Sequence, residues 1–77
     1  MQFKNIQLFP NPMGETLKIS GINEEFGVCI FDMRGRKMVE LMGQSEDVLV
    51  TTTYFESGFY YVSIKTVTGQ HTFKILK

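Results

Sequence analysis

The chain has 77 residues, a length that predicts one domain with a single small core. Its hydrophobic content of 43% is typical of a folded chain and argues against disorder. Eight basic and eight acidic residues cancel, so no basic stripe can neutralise phosphates, and we expect no nucleic-acid binding. Cys29 is the single cysteine and lies in an apolar run, which favours a core or half-buried residue over a reactive thiol.

Short apolar segments separated by turn residues predict β-strands along the whole chain. In chain order the predicted strands span residues 6–9, 16–20, 26–32, 36–42, 47–53, 56–65 and 71–77. The first strand ends at Pro10, Asn11 and Pro12, because proline has no N–H group to give to a strand ladder. No segment keeps the spacing of an amphipathic helix over a useful length.

The connection between the third and fourth strands predicts a tight turn with a clear mechanism. Asp32 can accept hydrogen bonds from backbone N–H groups that follow it, and Gly35 can take the left-handed conformation that closes a bulged hairpin. A further turn is predicted at residues 43–46. The register of the fourth strand stays open, because its apolar residues occupy both faces.

Residues 56–65 carry the clearest strand signal, since Tyr60, Val62 and Ile64 fall at every second position and so share one face. Gly58 belongs to the turn that begins this strand. We expect the strand at the centre of a sheet, and the whole pattern predicts an all-β, seven-stranded antiparallel sandwich. The expected buried residues are Leu17, Ile19, Val28, Ile30, Val48, Val50, Tyr60, Val62 and Ile64.

The sequence offers few groups for catalysis or metal binding. His71 is the single histidine and is interpreted as a surface strand residue, whereas a metal site needs several convergent ligands. Asp32 and Asp47 are interpreted as turn residues rather than as a catalytic pair. The glycines are scattered singly, which excludes a glycine-rich phosphate loop. We therefore expect a β-sandwich that is not an enzyme and holds no metal or cofactor, with Phe59 and Tyr61 packing rather than stacking on carbohydrate.

Four motifs occur in an order and spacing that resemble those of a known family. They are Leu8-Phe9-Pro10-Asn11-Pro12, Ile30-Phe31-Asp32-Met33-Arg34-Gly35-Arg36, Ser57-Gly58-Phe59-Tyr60-Tyr61-Val62-Ser63-Ile64 and Phe73-Lys74-Ile75-Leu76-Lys77. Together they resemble the type A C-terminal sorting domain of the type IX secretion system, or Por secretion system, of Bacteroidota. Phe9 replaces the common tyrosine of the family, Thr52 stands where leucine is usual, and single lysines replace a frequent double lysine near the terminus.

The resemblance implies an immunoglobulin-like sandwich with a role in transport. Residues 1–77 would then be a single C-terminal sorting domain and a fragment of a longer secreted precursor. The domain would take an N-terminal cargo domain through the periplasm and across the outer membrane, to the cell surface or the medium. Its partners would be the translocon, shuttle and sortase components of the type IX system, and the sortase would then remove it.

The residues to which the resemblance assigns recognition or motif roles are Pro10, Asn11, Pro12, Asp32, Gly35, Arg36, Gly58, Tyr60, Lys74, Ile75 and Lys77. We expect the recognition surface on residues 58–77, with Lys74 and Lys77 as exposed charges. The last strand is expected at a sheet edge, open to strand addition and weak self-association, so that deleting residues 75–77 leaves most core strands intact. The alternatives are a non-catalytic immunoglobulin-like spacer or adhesion domain and a carbohydrate-binding module.

Overall fold

The structure is a computed structural model that describes residues 6–44 and 47–77. Its strands are β1 (Gln7–Phe9), β2 (Thr16–Ser20), β3 (Glu25–Phe31), β4 (Lys37–Gln44), β5 (Val48–Thr51), β6 (Phe59–Thr66) and β7 (Gly69–Leu76). They form two antiparallel sheets, ordered β1-β2-β5 and β4-β3-β6-β7. The predicted all-β sandwich is confirmed, and it is consistent with an immunoglobulin-like fold. Among the described residues, no helix is long and apolar enough to cross a membrane.

The strand predicted as the centre of a sheet is β6, which lies between β3 and β7. Val62 pairs with Ile30 and Ile64 pairs with Val28, and all four side chains are buried. Paired residues of neighbouring strands project from the same face, so these rows form the inner layer of the four-stranded sheet. The same alternation on β2 buries Leu17 and Ile19 from the opposite sheet, as a sandwich requires.

The core contains the residues expected from the sequence, except that Val48 is half-buried because it begins the edge strand β5. Six further apolar residues are buried but are not in that list, and they are Ile6, Met13, Ile22, Phe26, Phe55 and Ile75. Most of them lie in connecting segments or in a terminal strand, where no alternating pattern marks a buried side. The connections of this small domain therefore supply part of its core.

The open register of β4 is resolved by a bulge. The pairing of β3 with β4 runs regularly to Val39 and then shifts, so that Lys37 rather than Met38 pairs with Phe31. Val39 thereby faces the core, against which it packs. The predicted turn at residues 43–46 begins too early, because Gly43 and Gln44 still belong to β4, and residues 45–46 lie outside the described residues.

Strand β5 is shorter than predicted, although its pairing with the β2 side continues for one residue beyond the strand. The Thr52 N–H donates to the Glu15 carbonyl at 2.8 Å, and the Thr52 hydroxyl donates to the Gly14 carbonyl at 2.7 Å. Thr52 is fully buried, so these bonds satisfy polar groups that would otherwise be costly to remove from water. The end of β5 is thus joined to the connection between β1 and β2.

Candidate functional site

Every odd-numbered strand ends at the same end of the sandwich. The connections that leave β1, β3 and β5 therefore meet there, together with the residues that follow β7. We call residues 10–15, 32–36, 52–58 and 76–77 the motif end. All four sequence motifs contribute to it, so the fold brings together residues that are far apart in the chain.

The β3–β4 turn of the motif end is built as the sequence predicts. The Asp32 Oδ1 atom accepts hydrogen bonds from the N–H groups of Arg34 and Arg36, each at 2.9 Å. The Arg36 Nε atom donates to Asp32 Oδ2 at 2.7 Å and forms a salt bridge. Gly35 has a φ of 84°, in the left-handed region that favours glycine, and its N–H donates to the Asp32 carbonyl.

The same contacts set the charge of this turn. Desolvation acts to raise the pKa of Asp32, but the hydrogen bonds from Arg36 and Arg34 outweigh it and hold that pKa below its ordinary value. The pKa of Arg36 is raised mainly by its hydrogen bond with Asp32 and by the charge of Asp32. The charge of Glu56 raises it to a smaller extent. Asp32 and Arg36 therefore stay ionised and paired at neutral pH.

Lys77 does not lie on the surface as the exposed charge that the sequence suggested. Its side chain is half-buried, and its Nζ atom donates to the carbonyls of Gly14 at 2.7 Å and Thr52 at 2.8 Å. Its N–H donates to the Gly58 carbonyl at 2.8 Å. One residue therefore bonds to two connections of the motif end, β1–β2 and β5–β6, and its charged group donates to backbone carbonyls of both.

The residues beside Lys77 are also part of the fold. Ile75 is 4% exposed and belongs to the core. The Met13 N–H donates to the Leu76 carbonyl at 2.7 Å, and the Leu76 N–H donates to Asn11 Oδ1 at 3.4 Å. These contacts argue against the expectation that deletion of residues 75–77 leaves most core strands intact, although β7 does lie at a sheet edge as predicted.

Pro10 and Pro12 flank Asn11 in the β1–β2 connection, and all three residues are exposed. Both prolyl peptide bonds are cis. With Asn11 bonded to the last strand, this segment covers the end of β7. The first and last sequence motifs are therefore in contact.

Tyr60 and Gly58 shape the β5–β6 connection. The Tyr60 hydroxyl donates to the Glu56 carbonyl at 2.7 Å, and its ring stacks on Phe55 with centroids 4.8 Å apart. Burial, followed by the charges of Glu56 and Asp32, raises the pKa of Tyr60 above its ordinary value. Gly58 has a φ of 144°, at the margin of the left-handed region where side chains are strained. Tyr60 is therefore a neutral donor that fixes this connection from within.

A groove of about 520 Å³ opens between the β3–β4 turn and the β5–β6 connection. The groove is lined by Asp32, Met33, Arg34, Arg36, Met38, Tyr54, Glu56, Ser57, Gly58, Phe59 and Tyr60. Tyr54 is 91% exposed and Met33 is 59% exposed, which is unusual for large apolar side chains at a concave site. Met33, Arg34 and Tyr54 are not among the recognition residues expected from the sequence, because single exposed residues in connections carry no periodic signal.

The family model of the secretion system C-terminal sorting domain matches residues 7–77. The chain belongs to this family. It is thus a C-terminal sorting signal for type IX secretion, which interacts with that secretion machinery and with a cargo protein and leads to the cell surface or to secretion. A search of curated proteins finds no match to the chain.

In this sorting domain the motif residues build the motif end. Asp32, Gly35 and Arg36 form one turn, and Gly58 and Tyr60 shape a second connection. The Asn11 side chain joins the β1–β2 connection to the last strand, and Lys77 joins the end of the chain to the β1–β2 and β5–β6 connections. Lys74 alone among the motif lysines is the expected exposed charge, and its Nζ atom lies 4.4 Å from the centroid of the Phe59 ring.

The structure does not favour the carbohydrate-binding alternative for the sorting domain. Phe59 and Tyr61 lie on the outer face of the four-stranded sheet, as alternation with the buried Tyr60 requires. Phe73 pairs with Val62 and packs against the core, so it faces the opposite side. The three aromatic rings considered as a stacking platform are therefore split between two faces.

Proposed function

We propose that the periplasm-facing translocon and shuttle components of the type IX system bind the folded motif end, and that a surface sortase then removes the domain. The observation that carries this proposal is the network of bonds between motifs. Asn11–Leu76, Gly14–Lys77 and Thr52–Lys77 are joined across 65, 63 and 25 positions of the chain. Such a surface exists only in the folded domain, so a receptor for it distinguishes folded from unfolded precursors.

The direction of the strands also suits attachment of a cargo domain at the N-terminal side. Strand β1 begins beside Ser20, at the end of the sandwich opposite to the motif end. A cargo joined N-terminally is therefore attached far from the surface proposed for recognition. Cargo of any size then leaves the motif end accessible in the periplasm.

The same contacts favour a domain without catalytic activity of its own, which is typical of sorting signals. Asp32 is bound by three N–H groups, and Tyr60 is buried and donates to a carbonyl. Both groups are used in holding the connections together. We propose that the chemistry of export and cleavage belongs to the partners.

Weak self-association through β7 is a second proposal about partners. Strand β7 is eight residues long and lies at the edge of the four-stranded sheet. An edge strand can pair with another strand through its backbone groups. Light scattering over a range of protein concentrations tests this, and a constant monomer mass up to millimolar concentration would contradict it.

An export assay tests the main proposal. Residues 6–77 are fused to a fluorescent cargo that carries an inner-membrane export signal, and the host has a working type IX system. We expect fluorescence at the surface or in the medium, and in the periplasm for the unfused cargo and for a host that lacks the translocon. Periplasmic retention of the intact fusion in the working host would contradict the assignment.

A variant that cannot fold separates recognition of a surface from recognition of a linear sequence. Val28→Asp places a carboxylate among fully buried residues and leaves all motif-end residues and all four sequence motifs unchanged. We expect the cargo of this fusion to stay in the periplasm. Export at the parent level, with the domain shown to be unfolded, would mean that a linear sequence is recognised.

A further inference from the structure

The residues that line the groove divide into two groups with different tasks. Asp32, Arg36 and Tyr60 are engaged in hydrogen bonds that hold the two connections. Met33 and Tyr54 instead project into solvent, at 59% and 91% exposure. The engaged residues build the walls, and the exposed residues provide a surface that no part of the described chain covers.

The exposed apolar groups of the groove come from both walls. Met33 and Met38 belong to the β3–β4 side, and Tyr54 and Phe59 belong to the β5–β6 side. Methionine adapts to differently shaped partners, and tyrosine offers a rigid ring with a polar tip. Both residue types are enriched where proteins bind other proteins.

The groove is lined by two arginines, Arg34 and Arg36, and by two carboxylates, Asp32 and Glu56. Arg36 is paired with Asp32, and Glu56 acts on the same arginine. No carboxylate of the described residues forms a salt bridge with Arg34, and the exposed Lys74 amine lies over the Phe59 ring. A ligand carboxylate is therefore attracted to Arg34, whereas a polyanion would meet the carboxylates of Asp32 and Glu56 in the same groove.

We propose that the groove is the docking site for an extended peptide segment of the secretion machinery, in which a large apolar residue lies next to an Asp or Glu. The apolar side chain packs between Met33 and Tyr54, and the carboxylate pairs with Arg34. The guanidinium group suits this task, because its planar donors bind a carboxylate in two places. A volume of about 520 Å³ lies in the range of sites that enclose a ligand. This inference rests on the proposed function and names its contact surface.

The opposite end of the domain provides matched controls. Val67 is 89% exposed and Lys65 is an exposed cation, so they resemble Tyr54 and Arg34 in exposure and chemistry but lie outside the groove. The variants to compare are Tyr54→Ser with Val67→Ser, and Arg34→Glu with Lys65→Glu. None of the four side chains forms part of the core, so urea midpoints are expected to stay at the parent value.

The fusion assay then measures the exported fraction of cargo. We expect export to fall by about tenfold or more for Tyr54→Ser and for Arg34→Glu, which is the effect of about 1.4 kcal/mol of lost binding. Both control variants are expected to export at the parent level. Parent-level export of the folded groove variants would overturn the proposal, and so would an equal loss in the controls.

Cross-linking identifies the occupant and separates it from a second copy of this chain. A photoreactive phenylalanine at position 54 is activated in exporting cells, and the linked peptide is sequenced by mass spectrometry. We expect a segment of a type IX component with an Asp or Glu within about three residues of the link, a spacing that an extended chain of ~3.3 Å per residue can bridge. A link to a second copy, a segment without a carboxylate or the absence of any link would overturn the proposal. If the parent fusion itself stays in the periplasm, both the sorting proposal and the groove proposal are contradicted. If the parent and the groove variants are all exported, the groove proposal alone is contradicted.

Discussion

The two ends of the sandwich are held together in different ways. At the motif end, hydrogen bonds join residues as distant as Asn11 and Leu76, 65 positions apart. At the opposite end, the β6–β7 turn is closed by local bonds, such as that between Thr66 and Thr68, and the Lys18–Asp47 ion pair is exposed. The connections of the motif end are therefore joined by long-range bonds, whereas the bonds that close the β6–β7 turn at the opposite end are local.

Two lysines near the end of the chain show the same contrast within four positions. Lys74 is exposed and lies over an aromatic ring, while Lys77 is half-buried and bonded to two carbonyls. A residue of one type can thus serve recognition or structure, depending on what the fold places around it. The presence of a lysine in the terminal motif does not by itself make it a contact with the machinery.

The largest effect is expected from deletion of residues 75–77. It removes the buried Ile75 side chain, at about 2–4 kcal/mol, and the charged hydrogen bonds of Lys77, at about 1.5–3 kcal/mol each. The sum approaches the whole stability of a small domain, about 5–10 kcal/mol. We expect a chain without a cooperative urea transition, and a parent-like midpoint would show that the motif end does not depend on these residues.

Lys77→Met is expected to destabilise the domain by about 2–3 kcal/mol, because the Gly14 and Thr52 carbonyls lose a charged donor. The matched Lys74→Met variant loses a cation–π contact, worth about 0.5–1 kcal/mol at an exposed site. Urea titration of both variants measures the difference. Equal losses would remove the distinction between the two lysines.

Gly43→Ala tests whether the opposite end contains an equally intolerant position. A Cβ atom at Gly43 would overlap the ring of Phe26, which is buried in the core. We expect a loss of about 1–3 kcal/mol from overpacking. If calorimetry shows no loss of stability, the Phe26 ring moves to accommodate the added methyl group, and the opposite end tolerates a larger side chain at this position.

Gly35→Ala and Gly14→Ala separate backbone strain from crowding within the motif end. A Cβ atom meets nothing within 4 Å at either glycine, but Gly35 alone of the two has a positive φ, 84°. We expect Gly35→Ala to cost about 1–2 kcal/mol and Gly14→Ala to stay within about 0.5 kcal/mol of the parent. Similar stabilities in parallel urea titrations would mean that the turn tolerates side chains.

The smallest effect is expected from the pH dependence of the Asp32 turn. The folded-state pKa of Asp32 lies below its unfolded value near 3.8, so its contribution is complete above that value and is lost as the pH falls through the folded pKa. Asp32→Asn should therefore weaken the dependence of stability on pH at the acid end, measured by thermal unfolding from pH 5 to about pH 2. An Asp47→Asn variant controls for the loss of one carboxylate. If stability depends on acid pH as steeply in Asp32→Asn as in the parent, the Asp32 turn is not the source of that dependence.

The features that the sequence predicts well are those determined by neighbouring residues. Alternation of Tyr60, Val62 and Ile64 places β6 correctly, and the spacing of Asp32 and Gly35 identifies a turn that the structure confirms in detail. Both signals arise within a few positions of the chain. For the same reason most strand boundaries agree closely with the prediction.

The features that the sequence does not reveal depend on contacts between distant segments. The burial of Ile75, the role of Lys77 and the bonds of Thr52 all require partners that only the fold supplies. The groove likewise joins two connections that have no common pattern. The family resemblance drew attention to the motif residues, and the structure shows that most of them lie in the motif end.

The central claim is that Lys77 supports sorting through the folded motif end and is not itself a contact with the machinery. The most direct test is export of the Lys77→Met fusion at a temperature where the variant is shown to be more than about 90% folded, which a stability of about 1.4 kcal/mol ensures. We expect export at the parent level there, and a parallel loss of export and of folded fraction on warming. Retention of the folded variant in the periplasm would contradict the claim and make the lysine a recognised group.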